Sequence, residues 1–174
     1  MELKTVWKTC QRLLERPEGP WRLPVLATAG PDGAAARVVV LRSYRWPQAT
    51  IYTDSRTPKV EAVEADPRVS LVFYDPDSRV QMRLQGKAEV ITSGREWEEA
   101  LSSVSEGARA DYFAERPPGA TLEKPEDLEL DLTGGGHFAL IKIELFKLEW
   151  LKLRREGHLR AFFQGPEEGR WLVP

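Results

Sequence analysis

The stretch Ala34-Ala35-Ala36-Arg37-Val38-Val39-Val40-Leu41-Arg42 sets three small residues ahead of a β-branched run with a basic residue at each end. β-Branched side chains lose little on a pleated surface, so Arg37 to Leu41 reads as a buried strand. A buried strand seldom opens and closes on guanidinium groups unless something anionic meets them. Ile51-Tyr52-Thr53 follows as a short strand ending in a hydroxyl, and Asp54-Ser55-Arg56-Thr57-Pro58-Lys59 opens a helix. Arg37, Thr53, Thr57 and Lys59 offer fixed charge, hydroxyl donors and a helix N-terminus, the chemistry that holds phosphate. An ordinary strand, turn and capped helix with solvated charges is the alternative reading of the same residues.

Upstream, Leu3, Val6, Trp7, Cys10, Leu13 and Leu14 recur at helical spacing, which predicts an amphipathic helix over residues 3–16 stopped by Pro17-Glu18-Gly19-Pro20. Cys10 sits on the apolar stripe as a packing residue. Pro24 to Ala29 is a short strand, Gly30-Pro31-Asp32-Gly33 a turn, and the strand Ala35 to Ser43 then pairs back antiparallel.

Downstream, Trp46-Pro47 breaks to a loop, Thr50 to Thr53 resumes the sheet, and Lys59 to Ala65 is a short helix ended by Asp66-Pro67. Val69 to Tyr74 is a central strand, with a turn at Asp75-Pro76-Asp77-Ser78. Arg79 to Val90 alternates most clearly: Val80, Met82, Leu84 and Gly86 face one way, and Arg79, Gln81, Arg83 and Gln85 form a polar row on the other. A second amphipathic helix carries Trp97, Ala100, Leu101, Val104 and Ala108, with Ser93 and Glu96 as a capping box. Gly119 to Gly136 is an acidic loop. His137 to Leu153 is a long strand whose apolar phase flips after Leu145 and again at Leu151, which predicts bulges. Glu156-Gly157 turns the chain, Leu159 to Phe163 pairs back, and Trp171 to Pro174 closes the pattern. The whole predicts one mainly β domain over residues 1–174, an antiparallel barrel of about six strands with flanking helices.

Among 174 residues, 25 basic and 27 acidic side chains leave a net charge of −2, which argues against a general nucleic-acid or membrane surface. No apolar run is long enough to span a bilayer, and no secretory pattern opens the chain, so a cytoplasmic protein is expected. A single cysteine and two histidines, His137 and His158, exclude an internal disulfide and give no metal-ligand spacing. The absence of asparagine beside abundant Arg, Glu and Pro is a composition expected of a thermophile.

The strand Arg37 to Arg42, the Tyr52-Thr53 pair, Lys59 at the helix entry and Tyr112-Phe113-Ala114-Glu115-Arg116-Pro117 together resemble the pyridoxamine 5'-phosphate oxidase family, FMN-binding split β-barrels. The resemblance implies that FMN is the cofactor and lies between the subunits of a homodimer, with residues 137–174 as a C-terminal hairpin that completes the site. By that resemblance, Arg37 to Arg42 (including Val38, Val39, Val40 and Leu41), Tyr52, Thr53, Lys59, Gln81, Trp150 and Arg160 contact the flavin, with Thr57 assisting at its phosphate. Arg42, Tyr112, Arg116 and His158 would contact a small, phosphorylated substrate. Two positions depart from the family: Ala120 stands where it has a serine, and Glu156 where it has an arginine. The implied function is an FMN-dependent oxidoreductase resembling pyridoxamine or pyridoxine 5'-phosphate oxidase. An FMN oxidoreductase with another substrate, or a non-enzymatic flavin- or haem-binding barrel, remains open. No catalytic acid or base is assigned, because hydride transfer to a flavin requires none.

Overall fold

The computed structural model describes residues 1–31, 33–109, 112–130 and 136–174. Helix α1 (Leu3–Glu15) precedes strands β1 (Val25–Gly30), β2 (Gly33–Val38), β3 (Leu41–Arg45) and β4 (Gln48–Asp54), then α2 (Pro58–Ala65). Strands β5 (Arg68–Asp75) and β6 (Val80–Ile91), helices α3 (Arg95–Ser103) and α4 (Glu106–Arg109), and strands β7 (Phe138–Lys152), β8 (Leu159–Phe163) and β9 (Gly169–Leu172) follow. Among the described residues the strands form one nine-stranded sheet, ordered β2-β1-β5-β6-β7-β4-β3, from which β8 and β9 extend beside β7. Every pairing is antiparallel. No ladder joins β2 to β3 among the described residues, so the curled sheet stays open: a split barrel, with more strands than the sequence pattern indicates.

The Ala35–Ser43 strand is in fact two strands. Val39 N–H donates to the Pro24 carbonyl at 2.9 Å and Leu41 N–H to the Arg22 carbonyl at 2.9 Å. Pro24 has no N–H to return, so the ladder with β1 cannot continue past Val38, and the chain turns at Val39-Val40 into β3. Nor is the first half buried: Ala34, Ala35 and Ala36 are exposed on a sheet edge, and Val38 is 63% exposed. Only Arg37, paired with the fully buried Leu26, looks inward. The turn before β2 includes Asp32, and the acidic loop includes residues 131–135; both lie outside the described residues.

Buried side chains of β1, β5, β6 and β7, among them Leu26, Leu71, Phe73, Met82, Leu84, Ile141 and Ile143, fill the barrel. Helix α1 closes it with Val6, Trp7, Cys10 and Leu14, and Trp7 meets Trp46 and Phe163 at ring separations of 5.1 and 5.4 Å. Burial pushes the Cys10 thiol up to about 12, as befits a packing residue. A second cluster on the outer side joins Val104, Tyr112, Phe113, Phe138 and Leu140 to Tyr52 and Trp97. The capping box does not form. Gly94, at φ 91°, occupies the cap and shifts the helix start, leaving Glu96 to pair with Lys142 at 2.8 Å. The helix also stops at Val104, whose backbone turns extended before α4.

Strand β7 has one bulge where the sequence shows two phase flips. Gln85 pairs with Lys147 but Gly86 with Leu145, so Phe146 is the extra residue and points half-exposed away from the core. From Lys147 to Lys152 the register is unbroken, and Leu151 simply occupies the outward face. Opposite the bulge the backbones crowd: a Cβ on Gly86 would stand 2.5 Å from the Glu144 carbonyl oxygen and 2.7 Å from Ile143 Cγ2. Gly86→Ala is therefore expected to destabilise the fold by about 1–3 kcal/mol, from overpacking against backbone that cannot yield. Equilibrium urea unfolding measures this, and an unchanged midpoint would contradict the register at the bulge.

Candidate functional site

Arg37, Thr53, Thr57 and Lys59 converge at one mouth of the barrel. Arg37 projects from the sheet edge on the inward face and donates to Thr28 Oγ1 at 2.9 Å and to the Leu26 carbonyl at 3.3 Å. Thr53 ends β4, Thr57 precedes Pro58 at the first turn of α2, and their hydroxyls lie 3.2 Å apart, both buried. Lys59 Nζ donates to Thr53 Oγ1 at 3.1 Å. Its ammonium is held below the usual lysine range by burial first and then by the charge of Arg37, with Asp54 pulling the other way. Burial likewise lowers Arg37. Neither cation makes an ion pair among the described residues. Two half-buried like charges beside two hydroxyls and a helix N-terminus form a cradle suited to a doubly charged anion.

Arg42 belongs to a different group. The β3–β4 register slips between Leu41 and Ser43, which makes Arg42 a bulged residue aimed outward while Leu41 and Ile51 face the core. Its guanidinium donates to Tyr112 Oη at 2.5 Å and lies 5.2 Å from the Tyr52 ring centre. Its Nε is buried and has no partner among the described residues. A cavity of about 240 Å³ opens here, lined by Arg42, Tyr52, Ser103, Val104, Ser105 and Ala108. Arg116 is exposed, its Nη1 donating to the Thr121 carbonyl at 3.3 Å. Val38, Val39, Val40 and Leu41 contribute the backbone that links the two groups.

The third group lies toward the far end of β7. Gln81, Leu151 and Arg160 stand in one cross-strand row, and Arg83, Glu149 and Phe162 in the next row on the same face. Arg83 is therefore no solvated member of a polar row. It donates to Glu149 Oε2 at 2.8 Å, Arg160 donates to the same oxygen at 2.6 Å, and Lys147 pairs with Oε1 at 2.7 Å. Burial alone would raise the Glu149 carboxyl, but hydrogen bonds from Lys147, Arg83 and Arg160 outweigh it and hold the group at about 2. Trp150 does not join Arg160. Strand alternation turns it to the core face, in register with Met82 and Ala161, where it is 6% exposed and 6.5 Å from the Trp171 ring. His158 is exposed, its Nδ1 accepting from Arg154 N–H at 3.1 Å within the β7–β8 turn.

The sequence pattern of the pyridoxamine 5'-phosphate oxidase family matches residues 21–129, more than half of the chain. The chain belongs to the pyridoxamine 5'-phosphate oxidase family. A pyridoxine/pyridoxamine 5'-phosphate oxidase of Rubrobacter xylanophilus is 38% identical over 99 residues, 56% of this chain, and that of Kineococcus radiotolerans 35% over 97 residues, also 56%. The matches span 40% and 38% of the length of those two relatives. Among solved structures, a pyridoxamine 5'-phosphate oxidase-related, FMN-binding protein of Nostoc punctiforme superposes with a TM-score of 0.76 at 20% identity, covering 100% of this chain and 99% of that one. PhzG of Burkholderia lata, solved with tetrahydrophenazine-1-carboxylic acid, gives 0.74 at 18% identity, covering 99% and 90%. These likenesses establish the split-barrel fold of the oxidase family.

Within that family frame, four residues around the site escape a reading of the sequence. Thr28 orients Arg37 from a neighbouring strand, diagonal to it in the register, so no spacing in the sequence discloses the contact. Glu149 is adjacent to the conspicuous Trp150 and is overshadowed by it. Buried Asp54 and part-exposed Arg56 form an ion pair at 2.7 Å, for which the short Asp-Ser-Arg run was the available signal. Glu149 also makes a pH test of its surroundings. Its folded carboxyl lies below the ordinary value of 4.5, so its contribution to stability is complete above about pH 4.5 and disappears as the pH falls through about 2. Glu149→Gln should therefore cost up to about 3 kcal/mol at pH 7, a ceiling lowered by solvent around Arg83. The difference from wild type should close near pH 2. Urea denaturation at several pH values measures both limits.

Proposed function

We propose that this protein is an FMN-dependent oxidoreductase, working as a homodimer on a small phosphorylated substrate. The observation that carries the reading is the Arg37–Lys59 pair: two cations close enough to repel each other, Lys59 bonded to the buried Thr53–Thr57 hydroxyl pair and Arg37 to Thr28, with neither in an ion pair among the described residues. A phosphate dianion turns their repulsion into attraction and accepts hydrogen bonds from Thr53 and Thr57. FMN, when bound, supplies the redox chemistry by accepting a hydride equivalent. Every other part belongs to the chain. Gln81 offers an amide to the polar edge of the ring system. Arg160, fixed on Glu149, supplies positive charge that favours the reduced flavin. Arg42 and Tyr112, with Arg116 nearby in sequence, receive the anionic part of the substrate.

Strand length supports the dimer. Thr53 pairs with Ala139 near the start of β7, whereas Gln81 and Arg160 both pair with Leu151 near its end. The intervening residues run about 40 Å along the strand, far longer than one flavin nucleotide. The cradle of one chain and the Gln81–Arg160 group of a second are the pair that can meet on one flavin. The surface around that group suits such a contact: Val38, Val25 and Val72 continue the row of Arg83, Glu149 and Phe162, and Tyr74 beside it is 47% exposed.

FMN titration tests the cradle. Riboflavin, which lacks the phosphate, should bind wild type far more weakly than FMN. Arg37→Ala and Lys59→Ala should each weaken FMN by about one to two powers of ten, from charge-assisted contacts of roughly 1.5–3 kcal/mol, with little effect on riboflavin. Sedimentation of the loaded protein should show one FMN per chain in a particle of twice the chain mass. Equal affinity for FMN and riboflavin, or a loaded monomer, defeats the proposal.

Ala120 and Glu156 support a second reading, in which the substrate is not a vitamin B6 phosphate. Glu156 places a negative charge where the family has a positive one, which disfavours an anionic group at that position. Aerobic incubation of the FMN-loaded protein with pyridoxamine 5'-phosphate separates the two: aldehyde formation supports the B6 substrate, and its absence, with FMN still reducible by another donor, supports the second.

A further inference from the structure

Asp54, 3% exposed, ends the strand that carries Thr53, and Arg56 folds back on it. The Arg56 backbone N–H and Nε donate to Asp54 Oδ1 at 2.8 and 3.1 Å, and Nη2 donates to Oδ2 at 2.7 Å. The same guanidinium reaches three successive carbonyls of a distant segment: Ala114 at 2.6 Å, Glu115 at 2.8 Å and Arg116 at 3.4 Å. That segment begins with Tyr112, which receives Arg42, and includes Arg116; it is secured from behind by Glu115 N–H on the Glu129 carbonyl and a bridge from Ala114 to Leu130. A guanidinium engaged with a buried carboxylate and three carbonyls has little donor capacity left for a ligand. Its work is therefore done on the segment.

The other side of Asp54 faces the cradle. Its carbonyl accepts from Thr57 N–H at 3.2 Å, Thr57 Oγ1 at 2.9 Å and Thr53 Oγ1 at 3.3 Å. Those two hydroxyls are the ones that a phosphate between Arg37 and Lys59 would recruit. An anion there fixes the turn from Asp54 to Thr57, and the Asp54 carboxylate and Arg56 belong to that turn. We propose that Asp54 and Arg56 are a positioning pair that couples occupancy of the phosphate cradle to the order of residues 112–116, so that cofactor binding sets the substrate-facing side chains. The coupling rests on the FMN reading given above.

Amide hydrogen exchange on the full-length protein, with and without saturating FMN, tests it. In wild type, FMN should slow exchange across 112–116 by roughly tenfold or more, the mark of local opening being suppressed. Riboflavin at saturation should not. Arg56→Met should abolish the FMN-dependent slowing yet bind FMN within about threefold of wild type, because Arg56 makes no contribution to the cradle. A merely structural role would speed exchange equally with and without FMN and leave the ratio intact, which overturns the proposal. Arg56→Lys, which keeps the charge but not the fork, should also lose the slowing and serves if Arg56→Met does not fold. Wild type that binds FMN without slowing overturns the coupling alone, as does equal slowing by riboflavin. Wild type that does not bind FMN overturns the cofactor reading and the coupling with it.

Discussion

The backbone of β7 has to satisfy three neighbours at once, and the rest of the structure is arranged around how it does so. Strand β6 pairs with it along almost its whole length, whereas the opposite edge is shared in tandem, with β4 on the first half and β8 on the second. The hand-over falls at Leu145, whose N–H turns to the Pro47 carbonyl, next to the bulged Phe146. One extra residue there reverses which side chains face the core, so that Ile141 and Ile143 before it and Leu148 and Trp150 after it all pack inward. A glycine on β6 is the complementary requirement, because the bulge brings two backbones too close for any side chain. Both ends of the candidate site are thus positioned by one strand and its single irregularity.

Patterns carried by the local sequence were legible; those that needed a partner strand were not. The stripe of α1, the alternation of β6 and the phase flip after Leu145 each follow from periodicity, and the structure contains all three. The break at Val39-Val40 was invisible because its cause is Pro24, which sits on the neighbouring segment and cannot return a hydrogen bond. Gly94 displaced a capping box that spacing alone would allow. At the site, the cradle was readable since Thr53, Thr57 and Lys59 are close in sequence and Arg37 stood out as a charge in an apolar run. The Glu149 cluster was not, as Arg83 and Glu149 are neighbours only through the register of β6 on β7.

Charge is distributed to two different ends in the two clusters. Around Glu149 three cations share one carboxylate, so the group is tied together but still carries excess positive charge. Around Thr53 two cations share none, and hydroxyls stand in for the missing anion. The first arrangement is rigid in itself, with its geometry set by the protein. The second sets two like charges near each other with no ion pair to either among the described residues. Neither cradle cation reaches the distant 114–116 segment by any hydrogen bond among the described residues; Arg56, held on Asp54, does so.

The enclosure of Cys10 has a kinetic meaning as well as a packing one. Its side chain lies on the inner stripe of α1 with 0% exposure, and its thiol stays protonated at physiological pH. Thiolate is the reactive form and reagent must reach it, so the folded chain gives an alkylating or oxidising agent nothing to attack. Modification then requires an opening that exposes Cys10, whether α1 lifting from the barrel or unfolding of the whole chain, and its rate reports the easier of the two. The chain carries in its one sulfhydryl a built-in clock for its own opening.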